Sequence, residues 1–120
     1  MEVPILKQGA VLIATFQAAL SDADLNQLRM GLVQQGVKFR SRAVIVDVTA
    51  MDVMDSFASR TLREIAQIIH LRGAETVIVG IQPEVAFAMV QLGIMLEGVA
   101  TALDLDEGLA FLNQKFKSVN

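Results

Sequence analysis

The residues best suited to chemistry are two neighbours, Asp55 and Ser56, in the stretch from Asp47 to Arg63. A hydroxyl beside a carboxylate can cap a helix or accept a phosphoryl group. Ser59 and Thr61 are competing acceptors, the first expected to face solvent near Ser56, the second to help fill a helix. Asp52 and Arg60 are the charged neighbours. Asp47 has two readings: it hydrogen-bonds the loop that follows it, or it positions Ser56.

Such chemistry depends on the elements around it. Val44, Ile45, Val46 and Val48 form a short β-branched run, the pattern of a strand covered on both faces. After Ala58 the period changes, and Ala58, Leu62, Ile65 and Ile69 fall on one helical stripe. Asp55 and Ser56 stand where that helix begins, and either can accept a hydrogen bond from an unpaired first-turn amide. A phosphate on Ser56 would carry nearly two negative charges toward those amides and the positive end of the dipole. Asp55 and Asp52 would oppose it, and an exposed pair with Arg60 would contribute little. The added charge is therefore suited to repelling a partner.

The remaining segments read as alternating strands and helices. Pro4 to Leu6 and Val11 to Phe16 are expected to pair as a hairpin across a Lys7-Gln8-Gly9 turn. Ser21 and Asp24 form an acidic capping box ahead of the stripe Leu25, Leu28 and Leu32, with Gly36 as the helix stop. Gly31 inside that helix costs ~1 kcal/mol relative to Ala, which packing must offset. Gly73 closes the helix from Ser56, and Thr76 to Val79 is the next buried strand, parallel to the first. Pro83 opens a helix to about Leu92, stopped at Gly93. Val99 to Leu103 reads as an edge strand. Asp104 and Glu107 then cap a helix with the stripe Leu105, Leu109, Leu112 and Phe116. The expectation is a single α/β domain over residues 1–120.

Composition narrows the function. Of 120 residues, 53% are hydrophobic and 19% charged, with a mean hydropathy of +0.50. Buried strands or a surface covered by a partner would each explain that excess. A net charge of −3 argues against nucleic acid, and the basic cluster Lys38, Arg40 and Arg42 beside Phe39 reads as a solvated loop. With no cysteine, thiolate chemistry and cysteine metal sites are excluded, which suits the cytoplasm. Met1-Glu2-Val3-Pro4 is not expected to start a signal peptide. The apolar stretch from Val85 to Leu103 is interrupted by Gln91 and Glu97, so no membrane span is expected.

The residues and their order resemble the STAS family of anti-sigma-factor antagonists, over nearly the whole chain. The likeness rests on Val44-Ile45-Val46-Asp47 before Met54-Asp55-Ser56. Within the family, Pro4-Ile5-Leu6-Lys7, Asp55-Ser56-Phe57, Gly80-Ile81-Gln82-Pro83 and Thr101-Ala102-Leu103-Asp104-Leu105 resemble the single-domain scaffolds of the bacterial stressosome. The resemblance implies one STAS domain, a mixed and mostly parallel sheet with helices mainly on one face. It implies a non-enzymatic antagonist that sequesters a serine/threonine switch kinase and releases it when Ser56 is phosphorylated. Its expected partners are that kinase, a larger STAS co-antagonist in a stressosome assembly, a cognate phosphatase and other copies of itself. The extra N-terminal domain of the larger co-antagonists is not expected. One departure stands out: many antagonists follow the Asp-Ser pair with a second hydroxyl and a glycine, where this chain has Phe57 and Ala58. The competing expectation is a STAS module that binds a small ligand or serves as structure, without phosphorylation.

Other chemistries have less support. A receiver domain would place its phospho-acceptor at Asp47, but needs more carboxylates after the first buried strand to hold Mg²⁺. Phe16-Gln17-Ala18 stand there instead, and no lysine ends the Val99 to Leu103 segment. His70, the only histidine, reads as a surface residue without a second metal ligand. No phosphate loop or nucleophile elbow is present, so neither cofactor nor metal is expected. Ile94-Met95-Leu96 is either core or an oligomer contact.

Overall fold

The computed structural model describes residues 4–16, 21–94, 96 and 98–117. Met1, Glu2, Val3, Gln17, Ala18, Met95 and Glu97, which entered the sequence reading, lie outside them. In chain order the elements are β1 (Ile5–Gln8), β2 (Val11–Thr15), α1 (Asp22–Phe39), β3 (Ala43–Asp47), α2 (Ser56–Leu71), β4 (Glu75–Val79), α3 (Pro83–Gln91), β5 (Ala100–Ala102) and α4 (Leu105–Lys117).

One sheet takes the strands in sequence order, β1-β2-β3-β4-β5. β1 and β2 form the expected antiparallel hairpin, and every later neighbour is parallel. Each parallel connection steps one strand further in the same direction. Crossovers of one hand therefore bring α1, α2 and α3 to the same face. There Leu12, Ala14, Val44, Val46 and Ile78 meet Leu25, Leu28 and Leu32 of α1, Leu62, Ile65 and Ile69 of α2, and Val85 and Met89 of α3. The alternate strand residues Val11, Ile13, Ile45, Val77 and Val79 point the other way, onto Leu112 and the flank of α4. Three helices on one face and one on the other match the expected mixed STAS-type arrangement. They also account for strands with almost no polar alternation.

Three local expectations are corrected. Lys7 and Gln8 belong to β1, paired with Leu12 and Val11, so the turn is Gly9-Ala10 with Gly9 at φ 60°. Gly36 does not stop α1. The helix runs to Phe39, Arg40 takes the left-handed position at φ 50°, and the Ser41 amide donates back to the Gly36 carbonyl. The basic loop is thereby shortened, since Lys38 lies in α1 and the Arg42 guanidinium sits 4.2 Å from the Phe116 ring centroid. At Gly31 an added Cβ would stand 3.4 Å from Ile5 Cδ1, an ordinary van der Waals contact, so the packing of α1 on the hairpin does not itself require glycine there. Ile94 and Leu96 pack against the core as partly buried residues.

The first capping box closes reciprocally, while in the second the glutamate reaches one residue past the cap. Ser21 Oγ accepts from the Asp24 amide at 3.1 Å and Asp24 Oδ2 from the Ser21 amide at 3.1 Å. Asp104 Oδ1 accepts from the Glu107 amide at 2.9 Å, while Glu107 Oε2 reaches the Leu103 amide at 3.1 Å.

Candidate functional site

Ser56 lies beyond the carboxyl ends of β3 and β4, the end of a parallel sheet where loops converge and sites are built. The β3–α2 loop is tied down along its length. The Val48 amide donates to the Val79 carbonyl at 3.0 Å and the Met51 amide to the Val48 carbonyl at 2.9 Å. Met51 and Met54 are buried in the core below it.

Asp47 does the work of holding this loop. Its Oδ1 accepts from the Thr49 amide at 3.0 Å and the Thr49 hydroxyl at 2.6 Å. No hydrogen bond joins Asp47 to Ser56 among the described residues, so of its two readings the first describes its contacts. Gln82, from the loop before α3, donates through Nε2 to the Thr49 carbonyl at 2.6 Å. Gly80, at φ 80°, leaves the space that the Thr49 side chain occupies. Thr49, Gly80 and Gln82 were not singled out as site residues from the sequence. The available signal was a glycine between a buried strand and a proline-led helix.

Asp55, not Ser56, caps α2. Asp55 has extended backbone angles, φ −81° and ψ 179°, and its Oδ1 accepts from the Ala58 amide at 2.8 Å. Ser56 is the first helical residue, exposed, and its hydroxyl makes no hydrogen bond among the described residues. The first-turn amides of Ser56 and Phe57 have no intrahelical acceptor by helix geometry, so positive potential remains around that hydroxyl. Asp52, Val53 and Arg60 are also exposed, Arg60 standing one helical turn after Ser56 and Asp55 directly before it.

The alternates differ from it. Ser59 does not face solvent: it is 3% exposed, and its Oγ donates to the Asp55 carbonyl at 2.9 Å. Thr61, 4% exposed, helps fill the helix as expected. His70 is exposed, and no group of three or more potential metal ligands occurs among the described residues. Nor is any described helix long and apolar enough to cross a membrane. Ser56 is open to solvent, whereas Ser59 and Thr61 are enclosed as long as the helix stays formed.

Comparison with known proteins gives a consistent likeness. The profile of the STAS domain matches residues 2–107. A Moorella thermoacetica RsbS variant with a serine replaced by glutamate superposes with a TM-score of 0.83 at 31% identity, covering 96% of this chain and 97% of that one. A chain from the stressosome, described as a signal integration and transduction hub, gives 0.74 at 32% identity, covering 92% and 96%. In sequence, 73 residues are 36% identical to the RsbT co-antagonist protein RsbRA of Bacillus subtilis (strain 168), covering 61% of this chain and 27% of the relative. The chain spans a third or less of the length of the curated relatives it matches.

Proposed function

Since the chain belongs to the STAS domain family, whose antagonists and scaffolds are not enzymes, we propose that it acts in a stressosome as an RsbS-like scaffold. In this reading it sequesters a serine/threonine switch kinase in the cytoplasm and releases it when Ser56 is phosphorylated. A larger RsbR-like STAS protein co-assembles with it, and a phosphatase resets the serine. The observation that carries the proposal is the division of labour at the start of α2. Asp55 supplies the cap, which leaves the Ser56 hydroxyl exposed and uncommitted. Full-length likeness to RsbS and to a stressosome chain supports the assembly role.

The modification adds charge beside Asp55 without removing a bond that the fold uses. Release then follows from repulsion and desolvation at the contact. The test is incubation with the cognate switch kinase and ATP, followed by peptide mass spectrometry. Phosphate on the peptide carrying Ser56 is expected. An unmodified chain, with the kinase active on a control substrate, would overturn the phospho-switch.

A further inference from the structure

At the opposite end of the sheet, the C-terminal ends of α1 and α2 leave a cavity of about 290 Å³. Its walls include the apolar residues Val33, Val44, Ile68 and Ile69, and its lining also includes Arg40, Ser41 and Arg72. We propose that this cavity binds a small organic anion with an apolar body, of the class of a medium-chain carboxylate.

Three observations converge on that class. First, Ser41 Oγ is buried without a hydrogen-bond partner. An unpaired buried hydroxyl is unfavourable, and it can donate to a carboxylate. Second, Arg40 and Arg72 have no carboxylate partner among the described residues, in contrast to Arg29 with Glu64 and Lys115 with Glu75. Basic side chains do favour helix C-termini. That accounts for the two arginines, but not for the hydroxyl or for the apolar recess between them. Third, the recess has room for roughly ten non-hydrogen atoms at ordinary ligand packing, enough for a short acyl chain and too little for a nucleotide.

Arg42 also lines the cavity, but its guanidinium is already stacked on Phe116. Arg42 keeps its charge there but is held in place by the ring, so the direct contacts are assigned to Arg40 and Arg72. Gly36 offers a clean way to close the site. It lines the cavity, and a Cβ built on it meets nothing within 4 Å. A leucine there fits the helix better than glycine, so it should occupy the recess without unfolding the domain.

The test titrates octanoate, hexanol and inorganic phosphate separately into the ¹⁵N-labelled protein and its Gly36→Leu, Ser41→Ala and Arg72→Gln variants. Octanoate is expected to give saturable amide shifts centred on Ser41, Gly73 and Ala74, with little response to hexanol or phosphate. Arg72→Gln should weaken octanoate roughly tenfold, the loss of one charge-assisted contact. Ser41→Ala should weaken it less, and Gly36→Leu should abolish binding at an unchanged or raised unfolding midpoint. Equal responses to hexanol or to phosphate, shifts centred elsewhere, or no saturation with octanoate would each overturn the proposal. So would full affinity in Arg72→Gln, a readout that stands even if Gly36→Leu fails to fold.

Discussion

The Thr49 side chain occupies the space that a Cβ on Gly80 would need, so the β3–α2 and β4–α3 loops interlock through an absence of atoms on one side. Asp47 fixes the hydroxyl of that threonine, and Gln82 fixes its carbonyl. The segment leading to Ser56 is thus held from two strands at once, with Met51 and Met54 buried beneath it.

Gly80→Ala should therefore be costly. It combines a positive φ with a collision against Thr49, together worth ~2–4 kcal/mol. Urea unfolding of the variant and of Gly73→Ala separates the two terms, because Gly73 has φ 86° and open space around it. Equal losses at the two positions would show that the collision contributes nothing.

At the start of α2, stability and modification should separate. Asp55→Ala removes the cap and should cost ~0.5–2 kcal/mol. Ser56→Ala removes an exposed hydroxyl outside the cap and should stay within about 0.5 kcal/mol of wild type. The same Ser56→Ala protein should incorporate no phosphate, because Ser59 and Thr61 are 3% and 4% exposed. Wild-type phosphate incorporation by Ser56→Ala would move the site to one of those two residues.

Phosphorylation should weaken kinase binding without refolding the domain. A tenfold loss requires only ~1.4 kcal/mol, which a dianion beside Asp55 can supply at a partly desolvated contact. Ser56→Asp should reproduce part of the loss, having less charge and fewer acceptor oxygens. Affinities measured alongside amide shifts decide the mechanism. Shift changes confined to residues 52–60 fit repulsion, changes spread through the sheet mean a conformational switch, and unchanged affinity excludes both.

Assembly is the fourth expectation. Phe87 and Val90 on α3, with Leu92 just beyond it, are 66%, 79% and 69% exposed, an unusual set of large apolar side chains for a free surface. Sedimentation at micromolar concentration, alone and with an RsbR-like STAS protein, should show self-association or a mixed complex. A monomer in both samples would remove the scaffold role.

The order of elements was legible because the strands are buried on both faces and the helix stripes are clean. Ala58, Leu62, Ile65 and Ile69 behave as their spacing implies. What was not legible is instructive. β1 is an edge strand with three exposed residues, so Lys7 and Gln8 carried no apolar alternation and read as a turn. Gly36 looked like a stop because glycine favours the left-handed position, yet Arg40 takes it and the glycine stays helical. Ser59 was expected at the surface beside Ser56. Its hydroxyl instead bonds the Asp55 carbonyl one turn back, which lets a polar side chain sit on the buried face. The Thr49–Gly80–Gln82 lock joins residues some thirty positions apart, and no local pattern encodes such a contact.

The uneven distribution of helices sets the timetable of biosynthesis. The helices α1 to α3 precede residues 105–117 in the chain, but Val11, Ile13, Ile45, Val77 and Val79 wait for that fourth helix to be covered. Until then a nascent chain carries a complete sheet with one bare apolar side. A copy arrested before Leu105 would leave that side bare, a surface for chaperones or proteases, whereas a copy that includes α4 covers it. Quality control can in this way read whether synthesis has passed α4.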